Sequence, residues 1–218
     1  MSLSALPLSQ RLCGLYVITD TRIAQRAHLV HAVAQAIAGG ARIVQYRDKS
    51  TDTERRLAEA AALRALTLAH GTVFLINDDV ELALAVAADG IHLGREDGAI
   101  AEVRARMGPT AIIGASCYND LALAQRAVLA GADYVAFGAF SPSQTKPHAV
   151  PAPLALLYQA RAALSVPLCA IGGITVENAP PLLGAGANML AVISAVFSAP
   201  DIEAAARDFA ALWSDCDQ

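Results

Sequence analysis

Short apolar runs and Ala/Leu-rich stretches alternate along almost the whole chain. Residues 12–19, 41–44, 72–76, 110–115 and 166–170 are apolar without polar alternation, as expected of parallel strands covered on both faces. Residues 28–38, 52–69, 80–88, 120–130, 153–164 and 201–213 carry helical spacing, with short connections. The pattern predicts helix, turn, strand, repeated.

A weak internal repeat sharpens this. Ala38-Gly39-Gly40-Ala41-Arg42-Ile43-Val44-Gln45, Ala88-Asp89-Gly90-Ile91-His92-Leu93-Gly94, Ala130-Gly131-Ala132-Asp133-Tyr134-Val135-Ala136-Phe137-Gly138 and Gly184-Ala185-Gly186-Ala187-Asn188-Met189-Leu190-Ala191-Val192 each read as a helix end, a tight Gly turn and a strand with a polar or Gly exit. About eight βα units result, which predicts an α/β fold of the (β/α)₈ TIM-barrel class over residues 1–218, with 1–10 as an N-terminal extension. An open doubly wound sheet is the alternative. Against it, no G-x-G-x-x-G follows the first strand, where Leu15-Tyr16-Val17-Ile18-Thr19-Asp20 leads on instead.

In a barrel, chemistry gathers where strands end and βα loops begin. The second strand runs without a turn residue into Gln45-Tyr46-Arg47-Asp48-Lys49, and strand alternation puts Gln45, Arg47 and Lys49 on one face. An amide with two cations suits a flat heterocycle bearing a phosphate or diphosphate, whereas a solvated strand end is the plainer reading. The third strand ends in Asn77-Asp78-Asp79, the fourth leads to Glu96-Asp97, and the fifth ends at Ser116. The sixth opens into a long exit holding Ser141, Ser143, Thr145 and Lys146. The seventh ends in Gly172-Gly173 and the eighth in Ile193-Ser194, where barrels often seat phosphate on backbone amides; a helix-entry turn with a capping Ser is the other reading. Asp78 and Asp97 could together hold Mg²⁺, or Asp78 could cap the following helix.

Charge and thiols then narrow the partners. A net charge of −4 and a pI near 5.7 exclude a general nucleic-acid surface, so any basic site is local. Cys13, Cys117, Cys169 and Cys216 are scattered without ligand spacing and read as reduced, mostly core thiols. With no signal-like start and no membrane-length apolar run, a cytoplasmic protein is expected, and a homo-oligomer is compatible with the sequence. Among the histidines, His28 and His31 share a helix face, His70 and His148 read as loop residues, and His92 reads as a core imidazole with a hydrogen-bonded nitrogen. No Ser/His/Asp set and no Cys beside an activating His is visible, so a mechanism without a protein nucleophile is expected.

Taken together, Leu15 to Asp20, Gln45-x-Arg47-x-Lys49, Ile76-Asn77-Asp78-Asp79, Asp89 to Gly94 with Glu96-Asp97, Gly131-Ala132-Asp133-Tyr134, Ser143-x-Thr145-Lys146, Ala170 to Ile174 and Val192-Ile193-Ser194-Ala195 resemble the thiamine phosphate synthase family over nearly the whole chain. The resemblance implies a transferase that joins hydroxymethylpyrimidine diphosphate to hydroxyethylthiazole phosphate, with Mg²⁺, releasing pyrophosphate. It implies that Gln45 and Asn77 address the aminopyrimidine, that Arg47, Lys49 and Lys146 take the diphosphate, and that Asp78 and Asp97 take the metal. Ser143, Thr145, the Gly173 amide, Ile193 and Ser194 would hold thiazole phosphate and pyrophosphate oxygens, with Ser116 near the leaving group. Ser143 stands where the family often has Thr, and Tyr46, Cys117, Tyr118 and Ala136 are less usual there. The related thiazole tautomerase relies on a His after the fifth strand, where this chain has Cys117 and Tyr118. A non-catalytic binder of thiazole or thiamine phosphate is a further alternative.

Overall fold

Eight parallel strands close into a barrel in sequence order, β1 (Gly14–Ile18), β2 (Ala41–Tyr46), β3 (Val73–Asn77), β4 (Gly90–Leu93), β5 (Ile112–Tyr118), β6 (Tyr134–Phe137), β7 (Leu168–Ile171) and β8 (Met189–Val192), with β8 pairing back to β1. The computed structural model describes residues 7–20, 29–94, 99–142 and 150–213. The expected barrel is therefore the fold, and no described helix is long and apolar enough to cross a membrane. Around the strands lie α2 (Leu29–Ala38), α3 (Thr53–His70), α4 (Val80–Ala85), α5 (Ile100–Met107), α6 (Leu121–Leu129), α7 (Ala155–Ala163), α8 (Pro180–Gly184), α9 (Ser194–Phe197) and α10 (Ile202–Ala210), after a first turn of helix α1 (Leu8–Arg11).

Strand alternation sorts the apolar residues into two layers. Tyr16, Ile43, Leu75, Ile112, Tyr134, Cys169 and Met189 fill the barrel interior, while Val17, Val44, Phe74, Ala115, Val135, Ala170 and Leu190 pack outward among the helices. Leu8 of α1 packs on the inner cluster, and Arg42 Nη2 donates to the Gln10 carbonyl at 3.0 Å, so the expected N-terminal extension is in part tied to the barrel.

The repeat has a physical basis at the ends where strands begin. Asp89 Oδ2 accepts the Phe74 amide and Arg64 of α3; Asp133 Oδ2 accepts the Ile113 amide and Arg104 of α5; Asn188 Oδ1 accepts the Leu168 amide and Arg161 of α7. Each clamp satisfies an amide in the first two residues of one strand from the turn leading into the next. Gly40, Gly131 and Gly186 supply the left-handed residue of their turns, but in the second repeat Ala87 does so at φ 50°. Gly90 is required there for another reason: a Cβ would stand 1.9 Å from the Ile112 carbonyl oxygen of the neighbouring strand.

Three differences from the sequence reading stand out. β5 continues past Ser116 to Tyr118, with a bulge between those residues and Tyr118 at φ 54°. His70 ends α3 rather than lying in a loop, its Nδ1 2.9 Å from the Leu66 carbonyl oxygen. Helices α5 and α8 lie outside the segments of helical spacing. The first is short and arginine-rich, and the second opens on Pro180-Pro181, which suits a first helical turn.

Candidate active site

At the strand exits the inward positions turn polar. Gln45, Asn77 and Ser116 follow the apolar inward residues Ile43, Leu75 and Ile112 on β2, β3 and β5, His92 follows Gly90 on β4, and Ile171 and Ile193 complete the rim. The four polar residues stand on four consecutive strands, so the closed barrel brings together groups up to 71 residues apart in sequence, from Gln45 to Ser116.

The β2 exit is held from both sides. Its ladder ends at Tyr46, but alternation persists: Tyr46 and Asp48 are buried toward α3, whereas Lys49 is exposed. Tyr46 Oη donates to Glu59 Oε2 at 2.7 Å, and Arg55 reaches Asp48 Oδ2 at 2.6 Å and Glu59 Oε1 at 3.0 Å. The Ser50 amide donates to Asp48 Oδ1 at 2.8 Å. On the opposite side, the Arg47 amide donates to Thr19 Oγ1 at 2.9 Å and its guanidinium lies 3.9 Å from the buried Asp20 carboxylate. Thr19 and Asp20 are neighbours of Arg47 to which the sequence reading gave no role. Their signal was a polar pair directly after the apolar run of β1.

Burial opposes ionisation of Asp48, but the Ser50 amide and the Arg55 guanidinium outweigh it and hold the carboxyl below its usual range. A carboxyl depressed in the folded state stabilises the fold above its unfolded pKa of about 3.9, and that contribution is lost as pH falls through the folded value. Urea unfolding between neutral and strongly acid pH should therefore show a decline below about pH 4 that is shallower in Asp48→Asn, although the variant is less stable at neutral pH. An unchanged acid limb would remove Asp48 from the account.

Asp78 and Asp79 divide two roles that the sequence left open for Asp78. Asp79 caps α4, its Oδ1 accepting the Leu82 amide at 3.0 Å, and pairs with Arg56 at 2.7 Å. Asp78 sits at φ 64°, donates its amide to the His92 carbonyl at 2.9 Å, and turns its carboxylate to Lys49 and Asn77. The capping alternative thus belongs to Asp79. Asp97 lies outside the described residues, and among the described residues no cluster of three or more His, Cys, Asp or Glu gathers.

Across the mouth, the segment after β6 runs beside the end of β7. Phe140 and Ser141 donate their amides to the Ile171 and Gly172 carbonyls at 3.2 and 3.0 Å, and Asn178 Nδ2 donates to the Gly173 carbonyl at 2.9 Å and to Ser141 Oγ at 3.2 Å. Gly172 and Gly173 both have positive φ, 98° and 62°. Ser143, Thr145 and Lys146 lie outside the described residues, but the described chain leaves at Pro142 beside Gly173. Ser194 opens α9 with no side-chain cap on that helix, so the capping reading of Ser194 does not hold. In Gly173→Ala a Cβ would stand 2.4 Å from the Pro142 carbonyl oxygen at a left-handed φ. A loss of about 1–3 kcal/mol in stability is expected, measured by urea unfolding; wild-type stability would contradict this packing.

The chain is similar to known proteins over nearly its whole length. The family model described as thiamine monophosphate synthase matches residues 15–196. Proteins named thiamine-phosphate synthase from Thioalkalivibrio sulfidiphilus and Chromobacterium violaceum are 53% and 54% identical, over 94% and 92% of this chain and 97% and 96% of their own. The solved thiamine phosphate pyrophosphorylase of Pyrococcus furiosus superposes with a TM-score of 0.87 at 36% identity, covering 96% of this chain and 99% of that one. A 3-hexulose-6-phosphate synthase, at 18% identity and TM-score 0.66, shares the fold alone.

Proposed function

Since this chain belongs to the thiamine monophosphate synthase family, a family of transferases, we propose that its barrel mouth joins an aminopyrimidine-methyl diphosphate to a hydroxyethylthiazole phosphate. The observation that carries the proposal is the convergence of Gln45, Arg47, Lys49, Asn77, Asp78 and Ser116 at the exits of β2, β3 and β5, with the Gly172-Gly173 turn at the β7 exit across the mouth.

In the reaction, the bond from the methylene carbon to the diphosphate oxygen breaks and the thiazole nitrogen bonds to that carbon. Dissociative displacement suits this site, because the ring can stabilise a carbocation and the protein need only neutralise the departing charge and hold the nucleophile. Gln45 and Asn77 address the aminopyrimidine; the Asn77 Nδ2 contact with Asp78 leaves Asn77 Oδ1 as the acceptor for the ring amino group. Arg47 and Lys49, with Lys146, meet the diphosphate, and Ser116 stands by the leaving oxygen. The Gly173 amide, Ile193 and Ser194, with Ser143 and Thr145, seat the thiazole phosphate.

Mg²⁺ fits this donor set. Asp78 presents a carboxylate whose side chain is 19% exposed at a mouth lined by cations, and a hard ion that keeps waters and substrate oxygens needs only one or two such carboxylates. Asp78 and Asp97 would hold it, and when bound it would neutralise diphosphate charge. Lys49, now against Asp78, would then turn to the substrate.

A tautomerase reading gains no support from Cys117, which is fully buried toward the helix layer. Burial, and next the Asp120 carboxylate, push its thiol up to about 12. Cys13, Cys117 and Cys169 are buried, in keeping with the reading of core thiols. Pyrophosphate release, followed with each substrate omitted in turn and in Lys49→Ala, tests the proposal. Release should need both substrates and fall at least ten-fold in the variant, on the order expected for a lost transition-state contact. Binding of both substrates by the wild type without release would leave a binder in place of a synthase.

A further inference from the structure

One polar chain crosses the barrel interior. Gln45 Nε2 donates to Tyr16 Oη, the Tyr16 and Tyr134 hydroxyls lie 2.9 Å apart, Tyr134 Oη is 2.8 Å from His92 Nδ1, and His92 Nε2 is 2.8 Å from Ser116 Oγ. The five residues come from β2, β1, β6, β4 and β5, and all but Ser116 are buried. Tyr134 stacks tilted on His92 at 5.6 Å and meets Tyr16 edge-on at 6.2 Å between ring centroids. Gly114 makes room for it, since a Cβ there would stand 2.3 Å from Tyr134 Oη. Burial pushes both phenols up, so each keeps its proton.

Each hydroxyl has one proton to give, and this gives the chain a direction. Tyr16 accepts from Gln45, and its own buried proton finds an acceptor along the chain only on Tyr134. Tyr134 must then donate to His92 Nδ1, which makes the neutral imidazole the Nε2–H tautomer. His92 donates to Ser116 Oγ, and the Ser116 proton is left to point outward from the chain. At the other end, with Nε2 turned inward, Gln45 presents Oε1 as an acceptor.

We infer that Tyr16, Tyr134 and His92 are positioning residues that couple the orientation of the Gln45 amide to that of the Ser116 hydroxyl. The same polarity that offers Gln45 Oε1 to a ring amino group makes Ser116 a hydrogen-bond donor to the departing diphosphate. In the reverse polarity Ser116 would donate its hydroxyl proton to His92 Nε2 in a hydrogen bond, and Gln45 would turn its amide NH₂ toward the ring. The roles of Gln45 and Ser116 toward ligand rest on the synthase reading; the direction of the chain does not.

Nitrogen-15 NMR of the ligand-free, histidine-labelled protein reads the direction, with the His92 signals assigned by their loss in His92→Asn. The expected result is an Nε2–H tautomer in wild type and loss of that single tautomer in Tyr134→Phe and in Gln45→Met. An Nδ1–H tautomer in wild type, or no change in both variants, would overturn the inference. Kinetics then test the coupling. Tyr134→Phe should lower kcat about ten-fold with KM for the thiazole phosphate unchanged, and adding Ser116→Ala to it should cost less than about two-fold beyond that. Losses that simply multiply would also overturn it. Absence of product from the wild type would defeat the synthase reading, with the His92 tautomer still deciding the direction of the chain.

Discussion

Asp78→Asn should fold as well as the wild type yet lose on the order of 10²-fold or more in kcat/KM. Asn is the informative replacement because Asp78 sits at φ 64°, a conformation that Asn adopts about as readily as Asp. Its amide still donates to the His92 carbonyl, and Asp79 still caps α4. The lost pair with Lys49 costs little stability, since the lysine side chain is 58% exposed. What disappears is the carboxylate that would share Mg²⁺ with substrate oxygens. Thermal unfolding together with a Mg²⁺ titration of activity checks this. A variant with wild-type rate and Mg²⁺ dependence would take Asp78 out of the site.

Arg55→Met is expected to destabilise the protein by about 3–5 kcal/mol, because it leaves the Asp48 carboxylate buried without its cation. Arg55 serves Asp48, Asp52, Glu59 and Ser50 at once, and its loss also undoes the ground on which Tyr46 meets Glu59. Activity should fall further than stability alone explains, measured well below the unfolding temperature, because the same cluster fixes the backbone that delivers Arg47 and Lys49. The double variant Arg55→Met/Asp48→Asn should recover part of the stability, since no unpaired charge is then buried. A single-variant loss below about 1 kcal/mol, the range of surface ion pairs, would show that the cluster is dispensable.

The two halves of the β2 exit mark how far the sequence could be read. Alternation alone put Gln45, Arg47 and Lys49 on one face, and the structure keeps Gln45 inside the barrel and Lys49 at its mouth against Asp78. The other face, Tyr46 and Asp48, carried no role in the sequence reading because its partners, Arg55 and Glu59, lie in the first two turns of α3 and belong to no motif. The eight strands were legible because each is a short apolar run set off by a turn signal before it or a polar or Gly exit after it. The end of β5 was not, since a bulge leaves no compositional trace beyond Ser116.

Long-range pairing was the hardest to see. His92 was readable as a buried imidazole with a hydrogen-bonded nitrogen, but its joining of Ser116 to Tyr134 depends on which residues barrel closure brings inward. Tyr16 and Tyr134 are 118 positions apart, and each looked like one more aromatic residue in an apolar run. Asp79 and Asp78 were inseparable by type; the left-handed backbone at Asp78 separates cap from site. The Arg64, Arg104 and Arg161 clamps likewise gave the repeat a meaning that its glycines only hinted at.

The most direct measurement is chromatographic detection of thiamine phosphate after incubating the purified protein with both substrates, with Mg²⁺ and with a chelator. The account predicts stoichiometric thiamine phosphate and pyrophosphate in the presence of Mg²⁺ and neither with the chelator. A folded protein that binds both substrates but yields no thiamine phosphate with Mg²⁺ present would contradict it.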